Sequence, residues 1–273
     1  LMADERYRVK YFFAPRPRLC EDVFNAAKKY GDKIELEIID NKKMLAQRFS
    51  QISDVRLFVM NACPFILNRE ILSYMDVYNI HPGDFAANRG HHPHLWTVLL
   101  GEKSTSVILH KVGEQIDLGE VIAEEKIKLT GRENSLEVLN LAEDKIPCLL
   151  DGLYDCLTGK RGTLYTATEG IYRPFMTYAD YEITPDDTLD SIDRKIRARF
   201  MHSGAFFTME SRRVYVTRLI SDKPYCGEAM LIVEKNRVLY GNGGRLLTFA
   251  LGKITDMDGR LLMEGDAGEV NKC

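Results

Sequence analysis

The sequence is short of paired cysteines. Its six, Cys20, Cys63, Cys148, Cys156, Cys226 and Cys273, are scattered over 273 residues and include no CxxC pair. Neither a zinc ribbon nor a disulfide framework is indicated, and the thiols are expected to be reduced. No run of about 18 apolar residues occurs, which excludes a membrane-spanning helix. The polar, charged stretch from Leu1 to Arg8 is unlike a secretory signal, so a cytoplasmic location is expected. Net positive charge is missing too. With 37 Lys and Arg against 40 Asp and Glu, the formal charge is −3, and no global excess of cations exists to hold a polyanion by counterion release. Nucleic acid is therefore not an expected partner, although a local basic patch is compatible with this balance. Internal repeats and low-complexity segments are absent as well.

What is present suits a folded enzyme: 45% hydrophobic and 28% charged residues, ordinary values for a globular chain. The length favours two domains. Tyr7 to Ala14 reads as a strand, Leu19, Val23, Ala26, Ala27 and Tyr30 recur at helical spacing, and Ile34 to Ile39 alternates as a strand, making one β-α-β unit. A helix through Leu45, Phe49 and Ile52 follows. Val55 to Met60 is an apolar run of the kind buried in a parallel sheet, Ile66 to Tyr74 fits a helix, and Val77 to His81 a strand. Leu95 to Leu100 reads as a helix, Ser106 to Val112 as a strand and Val121 to Ile127 as a further element. A long amphipathic helix is expected through Leu136, Leu139, Leu149 and Leu153, capped by Asn134 or Ser135 and bent or interrupted at Pro147. Gly159 to Gly170 reads as a linker. Beyond it, Pro185-Asp186-Asp187 opens a short helix, and Arg213 to Leu219, Ala229 to Glu234, Arg237 to Tyr240 and Leu246 to Ile254 read as short strands divided by turns. The expected fold class is α/β, a Rossmann-like, mostly parallel open sheet followed by a small OB-like β-barrel. The boundaries are 1–157 for the catalytic domain, 158–184 for the linker and 185–273 for the β-rich domain.

Three short motifs carry the chemistry: Asn79-Ile80-His81-Pro82, Arg89-Gly90-His91-His92-Pro93 and Asp117-Leu118-Gly119. An amide, an imidazole and a carboxylate are the parts needed to bind an oxyanion, move a proton and orient the base. Their order and spacing resemble the folate-dependent formyltransferase family, whose motifs read Asn-x-His-Pro, Arg-Gly-x-x-Pro and Asp-x-Gly. The resemblance is strong over residues 52 to 130. It implies formyl transfer from N10-formyltetrahydrofolate to a primary amine, with Asn79 donating to the oxyanion, His81 exchanging the proton and Asp117 holding the imidazole. It also implies that Asn61, Ala62, Cys63, Phe65, Ile66 and Leu67 hold the pterin, with Val112, Gly113, Glu114, Gln115 and Ile116 as the opposite wall. Arg89, Gly90 and His91 are expected beside the substrate.

Taken singly, His81 reads as a structural histidine, Asp117 as a turn residue and 61–67 as a plain strand-to-helix turn; order and placement favour the catalytic reading. His91, His92 and His94 are adjacent, but adjacent residues rarely converge on one centre, and no metal is expected. Arg194, Lys195, Arg197 and Arg199 form a basic run that is by default a solvated face. Arg197 and Arg199 are nevertheless candidates for a phosphate of the substrate. Two departures from the family stand out: Gly83-Asp84-Phe85-Ala86 replaces the usual Ser-Leu-Leu-Pro, and the region before residue 55 is a β-α unit shorter, so that a sheet lacking a strand is expected. The expected acceptor is a nucleotide-linked amino sugar, with initiator tRNA or an amino-acid-derived amine as same-class alternatives and a catalytically silent folate- or nucleotide-binding relative as the different one. A homodimer is compatible with the sequence.

Overall fold

A computed structural model describes residues 4–15, 25, 29, 34–242 and 244–265. The helix expected through Leu19, Val23, Ala26, Ala27 and Tyr30 lies outside these residues, as do Cys20 and Cys273. The chain divides into two compact units built from non-contiguous stretches. The first comprises Leu1–Gly90, Ser106–Ile127 and Ala142–Tyr172, and the second His91–Thr105, Lys128–Leu141 and Arg173–Cys273.

The first unit is α/β. Strands β1 (Tyr11–Pro15) and β2 (Glu35–Ile39) pair in parallel. Helix α1 (Lys42–Gln51) is started by the Asn41 side chain, which accepts the Met44 N–H at 3.0 Å, and it buries Leu45 and Phe49. These residues share a core with Phe13, Ile39, Met60, Ile71 and Val77. Strand β3 (Leu57–Asn61) leads to a short helix α2 (Arg69–Leu72) and then to β4 (Asp76–His81), which pairs with β3 in parallel. Helix α2 covers only part of the expected 66–74 because the Asn68 side chain caps it late, at Ile71 N–H.

After the two-residue β5 (Arg89–Gly90) and helix α3 (Pro93–Leu99) come β6 (Ser104–Lys111) and β7 (Gly119–Lys128). Strand β6 runs antiparallel to β4, with Asn79 opposite His110 and His81 opposite Ile108. The sheet is thus mixed rather than mostly parallel. A parallel return needs a crossover packed on the sheet face, whereas α3 packs within the second unit. Helices α4 (Ser135–Glu143) and α5 (Ile146–Leu157) replace the single long helix. Pro147 sits in the first turn of α5, where its missing N–H has no intrahelical partner to lose. The stretch expected as a linker supplies β8 (Tyr165–Ala167), antiparallel to β7, and the sheet order is β3-β4-β6-β7-β8. A further two-residue strand, β9 (Tyr172–Arg173), follows.

The second unit contains a one-turn helix α6 (Tyr178–Tyr181) and an amphipathic helix α7 (Leu189–Ala198). Thr188, not the Pro185-Asp186-Asp187 run, caps α7 by accepting Ser191 N–H at 3.1 Å. Six antiparallel strands form a half-barrel: β10 (Ala205–Met209), β11 (Arg212–Pro224), β12 (Met230–Glu234), β13 (Arg237–Asn242), β14 (Arg245–Asp256) and β15 (Leu261–Glu264), in the order β10-β11-β14-β13-β12 with β15 on β14. Register shifts along β11 near Val216 and Leu219 bend the sheet around its core. That core is Ile192 and Ile196 of α7 against Val214, Val216, Phe249 and Leu251. Strands β10 and β15 were not legible as strands. The first follows α7 with no alternating signal, and the second is exposed along its length.

At the start of α4, the Asn134 side chain accepts the Leu136 and Glu137 N–H groups at 3.0 Å, and Glu137 accepts the Asn134 N–H at 2.8 Å. This reciprocal cap settles the choice between Asn134 and Ser135, whose buried hydroxyl has no hydrogen-bond partner. Asn134→Ala should therefore lower stability by about 1 kcal/mol. Ser135→Ala should leave it unchanged or raise it, since no bond is lost. Urea midpoints of the two variants measure the contrast.

Candidate active site

Strand β4 ends at the carboxyl edge of the parallel β3-β4 pair, where open α/β sheets expose ligand-binding groups. Asn79 and His81 lie two residues apart, so both side chains project from the same face. His81 is 4% exposed, and its Nε2 lies 2.8 Å from the Asn88 carbonyl. That carbonyl can only accept, which places a proton on Nε2 and turns Nδ1 toward Asp117 Oδ2, 3.5 Å away. Asp117 is itself buried, in a left-handed conformation with φ 49°. Gly90 N–H donates to Asp117 Oδ2 at 2.7 Å.

A residue not singled out from the sequence completes the cluster. His110 on β6 is 2% exposed, with Nε2 at 3.6 Å from Asp117 Oδ1 and 3.3 Å from the Asn79 amide nitrogen, while Nδ1 faces the Lys111 carbonyl at 3.2 Å. The signal was there in part: a lone imidazole ends the apolar run Val107-Ile108-Leu109. Its meaning depends on the pairing of Asn79 with His110, which only the sheet register reveals. Phe85, from the segment that replaces Ser-Leu-Leu-Pro, packs on both imidazoles, with ring centres 5.3 Å from His81 and 4.9 Å from His110.

Burial pushes His81 below the ordinary imidazole value, outweighing the opposing pull of Asp117 and the Asn88 carbonyl. Burial also works to raise Asp117, but the imidazoles of His81 and His110 and the Gly90 N–H overcome it and hold the carboxyl below the usual carboxylate range. Near neutral pH the cluster is then an ionised Asp117 beside a neutral His81. The vacant Nδ1 of that ring points at a negative charge, so a proton arriving there gains an ion pair.

Arg89 does not project as a free cation. Its guanidinium donates to the Ile116 and Gly170 carbonyls at 2.9 and 3.0 Å, tying down the loop that carries Asp117. Gly170 has φ 146°, and a Cβ there would overlap the Phe85 carbonyl. His91 belongs to the second unit, where its ring stacks on Phe175 with centres 3.6 Å apart. Among the described residues no group of three or more His, Cys, Asp or Glu is arranged to hold a metal ion.

Of the expected pterin segment, Asn61, Ala62 and Ile66 are exposed, Cys63 and Phe65 are half-buried, and Leu67 is in the core. Ala62 has φ 53°, in the left-handed region. On the other wall Val112 bonds the Val77 carbonyl at 2.8 Å, Glu114 pairs with Arg69 at 3.5 Å, Gln115 is exposed and Ile116 half-buried. Gly113 would meet nothing within 4 Å if it carried a Cβ, so no contact within the chain demands glycine there. In the second unit, Arg197 is engaged by Asp193 at 2.8 Å and the Glu133 carbonyl at 2.6 Å, and Arg199 lies 4.3 Å over the Tyr181 ring.

No family model matches the chain. Over 182 residues it is 30% identical to the methionyl-tRNA formyltransferase of Bifidobacterium longum, covering 64% of this chain and 55% of that protein. Its sequence likeness is thus to formyltransferases. It spans little more than half the length of that curated relative. Solved structures share its fold. HypX from Aquifex aeolicus in complex with tetrahydrofolic acid superposes with a TM-score of 0.69 at 17% identity, over 92% of this chain and 44% of that one. A sugar N-formyltransferase from Shewanella gives 0.57 at 19% identity, over 76% and 95%.

The depressed His81 and Asp117 values fix a sign for the pH dependence of stability. A group that binds its proton less readily folded than unfolded contributes stability at high pH, and loses it as pH falls from the unfolded value toward the folded one. For His81 the loss begins below about pH 6.5 and for Asp117 below about 3.9. Stability should therefore fall between pH 7 and pH 5, and the slope should be shallower in His81→Gln. Urea titrations at several pH values measure it; equal slopes would show that His81 is not held neutral.

Proposed function

We propose that this chain transfers a formyl group from N10-formyltetrahydrofolate to a primary amine, with Asn79, His81 and Asp117 as its catalytic residues. The observation that carries this reading is the buried Asp117 carboxylate held against the imidazole of His81 beside the Asn79 amide at the end of β4. The folate supplies the activated formyl carbon. Asn79 donates an amide hydrogen toward the formyl oxygen as negative charge develops there. His81 takes up the proton shed by the amine at Nδ1, directly or through water, and Asp117 stabilises the resulting imidazolium. His110 is a positioning residue whose one ring atom faces both Asn79 and Asp117.

The pterin is assigned to 61–67 and 112–116. Support comes from the exposed left-handed turn at Ala62, the solvent-exposed Ile66 and the uncrowded Gly113, which offer an apolar side chain and room for a flat heterocycle. Arg89 and Gly90 act by holding Asp117 rather than by touching substrate.

For the acceptor we favour a nucleotide-linked amino sugar. Residues 173–273 carry fifteen Lys or Arg and fifteen Asp or Glu, so they offer no excess charge for the many phosphate contacts a tRNA requires. The nucleotide part of this reading rests on charge balance alone, because the α7 arginines are held by protein partners. The 30% identity to a methionyl-tRNA formyltransferase favours charged initiator tRNA as the second reading.

In purified protein, amines should drive consumption of N10-formyltetrahydrofolate. Asn79→Ala, His81→Ala and Asp117→Ala should each slow transfer by about 10²- to 10³-fold. Pairs of these substitutions should lose far less than the product of the single losses, as expected of groups acting as a unit. Near-normal turnover by His81→Ala would sink the mechanism. Efficient formylation of charged initiator tRNA, falling steeply with salt, would replace the sugar reading and leave the chemistry in place.

A further inference from the structure

The turn between β4 and β5 is closed on itself by Asp84. Its Oδ1 accepts the Ala86 N–H at 2.8 Å and its carbonyl accepts the Asn88 N–H at 2.7 Å. This closure brings two groups to His81: the Asn88 carbonyl, 2.8 Å from Nε2, and the side chain of Phe85, which is 3% exposed. The Phe85 ring lies against both imidazoles, tilted 50° to His81 with centres 5.3 Å apart and 79° to His110 at 4.9 Å. Ile108 and Val121 share its core. Gly170 lies so near the Phe85 carbonyl that a Cβ would overlap it, which confines the backbone as well.

We propose that Phe85 is a positioning residue for the formyl transfer: its ring keeps water from His81 and His110, so that His81 meets the amine as a neutral base. The inference rests on His81 being the base of that reaction. An aromatic ring acts on an imidazole in two opposed ways. Its face attracts a cation and favours the protonated form, while its bulk removes the water that would solvate that form. The surroundings decide between them. Asp117 and the Asn88 carbonyl favour a proton on His81, and His110 and the Arg89 guanidinium disfavour it. Burial outweighs the groups that favour the proton and holds His81, 4% exposed, below the ordinary imidazole value. In a site this dry, exclusion of water is the larger effect of the ring. A base must arrive without the proton it is to take up. Kept neutral by Phe85, His81 does so at pH values where an ordinary imidazole is already charged. A smaller residue at this place lets water reach the imidazolium, so the His81 midpoint and the acid limb of turnover both move to higher pH.

The ring C–H signal of His81, assigned by its loss in His81→Gln, is titrated by NMR in the whole chain, in Phe85→Leu and in Phe85→Ala. Leucine stands at this place in the family's usual Ser-Leu-Leu-Pro and keeps part of the apolar cover. The midpoint should therefore rise from wild type to Phe85→Leu and again to Phe85→Ala. Each pH unit of rise lowers the neutral fraction by about tenfold on the acid side. The ratio of Phe85→Ala to wild-type kcat should then be lower by about threefold or more at about pH 6 than at about pH 8. A ring that served packing alone would lower kcat by one factor at both pH values, and that result would overturn the proposal. Equal midpoints across the three proteins, or a wild-type midpoint at or above that of an unburied histidine, would overturn it too. If Phe85→Ala does not fold, Phe85→Leu carries both comparisons. The titration involves no folate, whereas the formyl-transfer reading falls if wild-type protein fails to consume formylfolate with amines, so the two failures are told apart.

Discussion

A single carboxylate, Asp117, is the constraint to which the rest of the site answers. Burying a charge is costly unless it is paired and hydrogen-bonded. Gly90 N–H donates to this one at 2.7 Å, and the imidazoles of His81 and His110 approach its opposite oxygens at 3.5 and 3.6 Å. Each makes its own demand. Gly90 sits at φ 93°, a conformation natural to glycine. His81 needs a fixed acceptor on its far edge, which the Asn88 carbonyl provides. His110 needs the antiparallel register that sets it across from Asn79. Asp117 in turn needs its loop held in a left-handed turn, and Arg89 does that through the Ile116 carbonyl.

This dependence explains why some of the site was readable from the sequence and some was not. Asn79, His81 and Asp117 stand in short motifs whose meaning is local: two residues apart on a strand, or one residue before a turn. His110 carries the same chemistry, but its place follows from a pairing with a residue 31 positions away, and no periodicity records it. Gly170 is similar. It looked like part of a flexible linker, whereas its lack of a side chain lets its segment lie against Phe85 and accept from Arg89.

The basic run on α7 teaches the opposite lesson. Arg194 and Arg197 each follow an aspartate by four residues, Asp190 and Asp193, and the ion pairs at 2.6 and 2.8 Å are the ones that helical spacing dictates. Reading the acids together with the bases gives ion pairs within the chain, and the structure has these cations half-buried against protein partners rather than on a solvated face. Likewise the interruption at Pro147 was legible because proline acts within one turn, while the two compact units were not. Their boundaries divide the Arg-Gly-x-x-Pro motif itself, with Arg89 and Gly90 in one and His91 to Pro93 in the other.

Among the described residues β1 and β3 make no ladder, and that break lies on the side of β3 away from the catalytic cluster, because β4 separates β3 from β6 in the sheet order. Every group that touches Asp117 comes from β4, β5, β6 or the loops beside them, and none from β1 or β2. Pairing of β3 with β4 and of β4 with β6 is complete on its own. The carboxylate clamp is thus anchored in the continuous half of the sheet, while among the described residues β1 and β3 are joined by core packing through Phe13, Phe49 and Phe58 and by the Lys10–Asp54 ion pair rather than by a ladder. Packing without a ladder holds two ribbons in one layer but fixes their spacing loosely, since apolar contact is non-directional whereas a ladder sets each residue against its neighbour. Geometry accurate to a few tenths of an ångström, as proton transfer requires, can therefore be kept at the end of β4 by a sheet whose other half is still open.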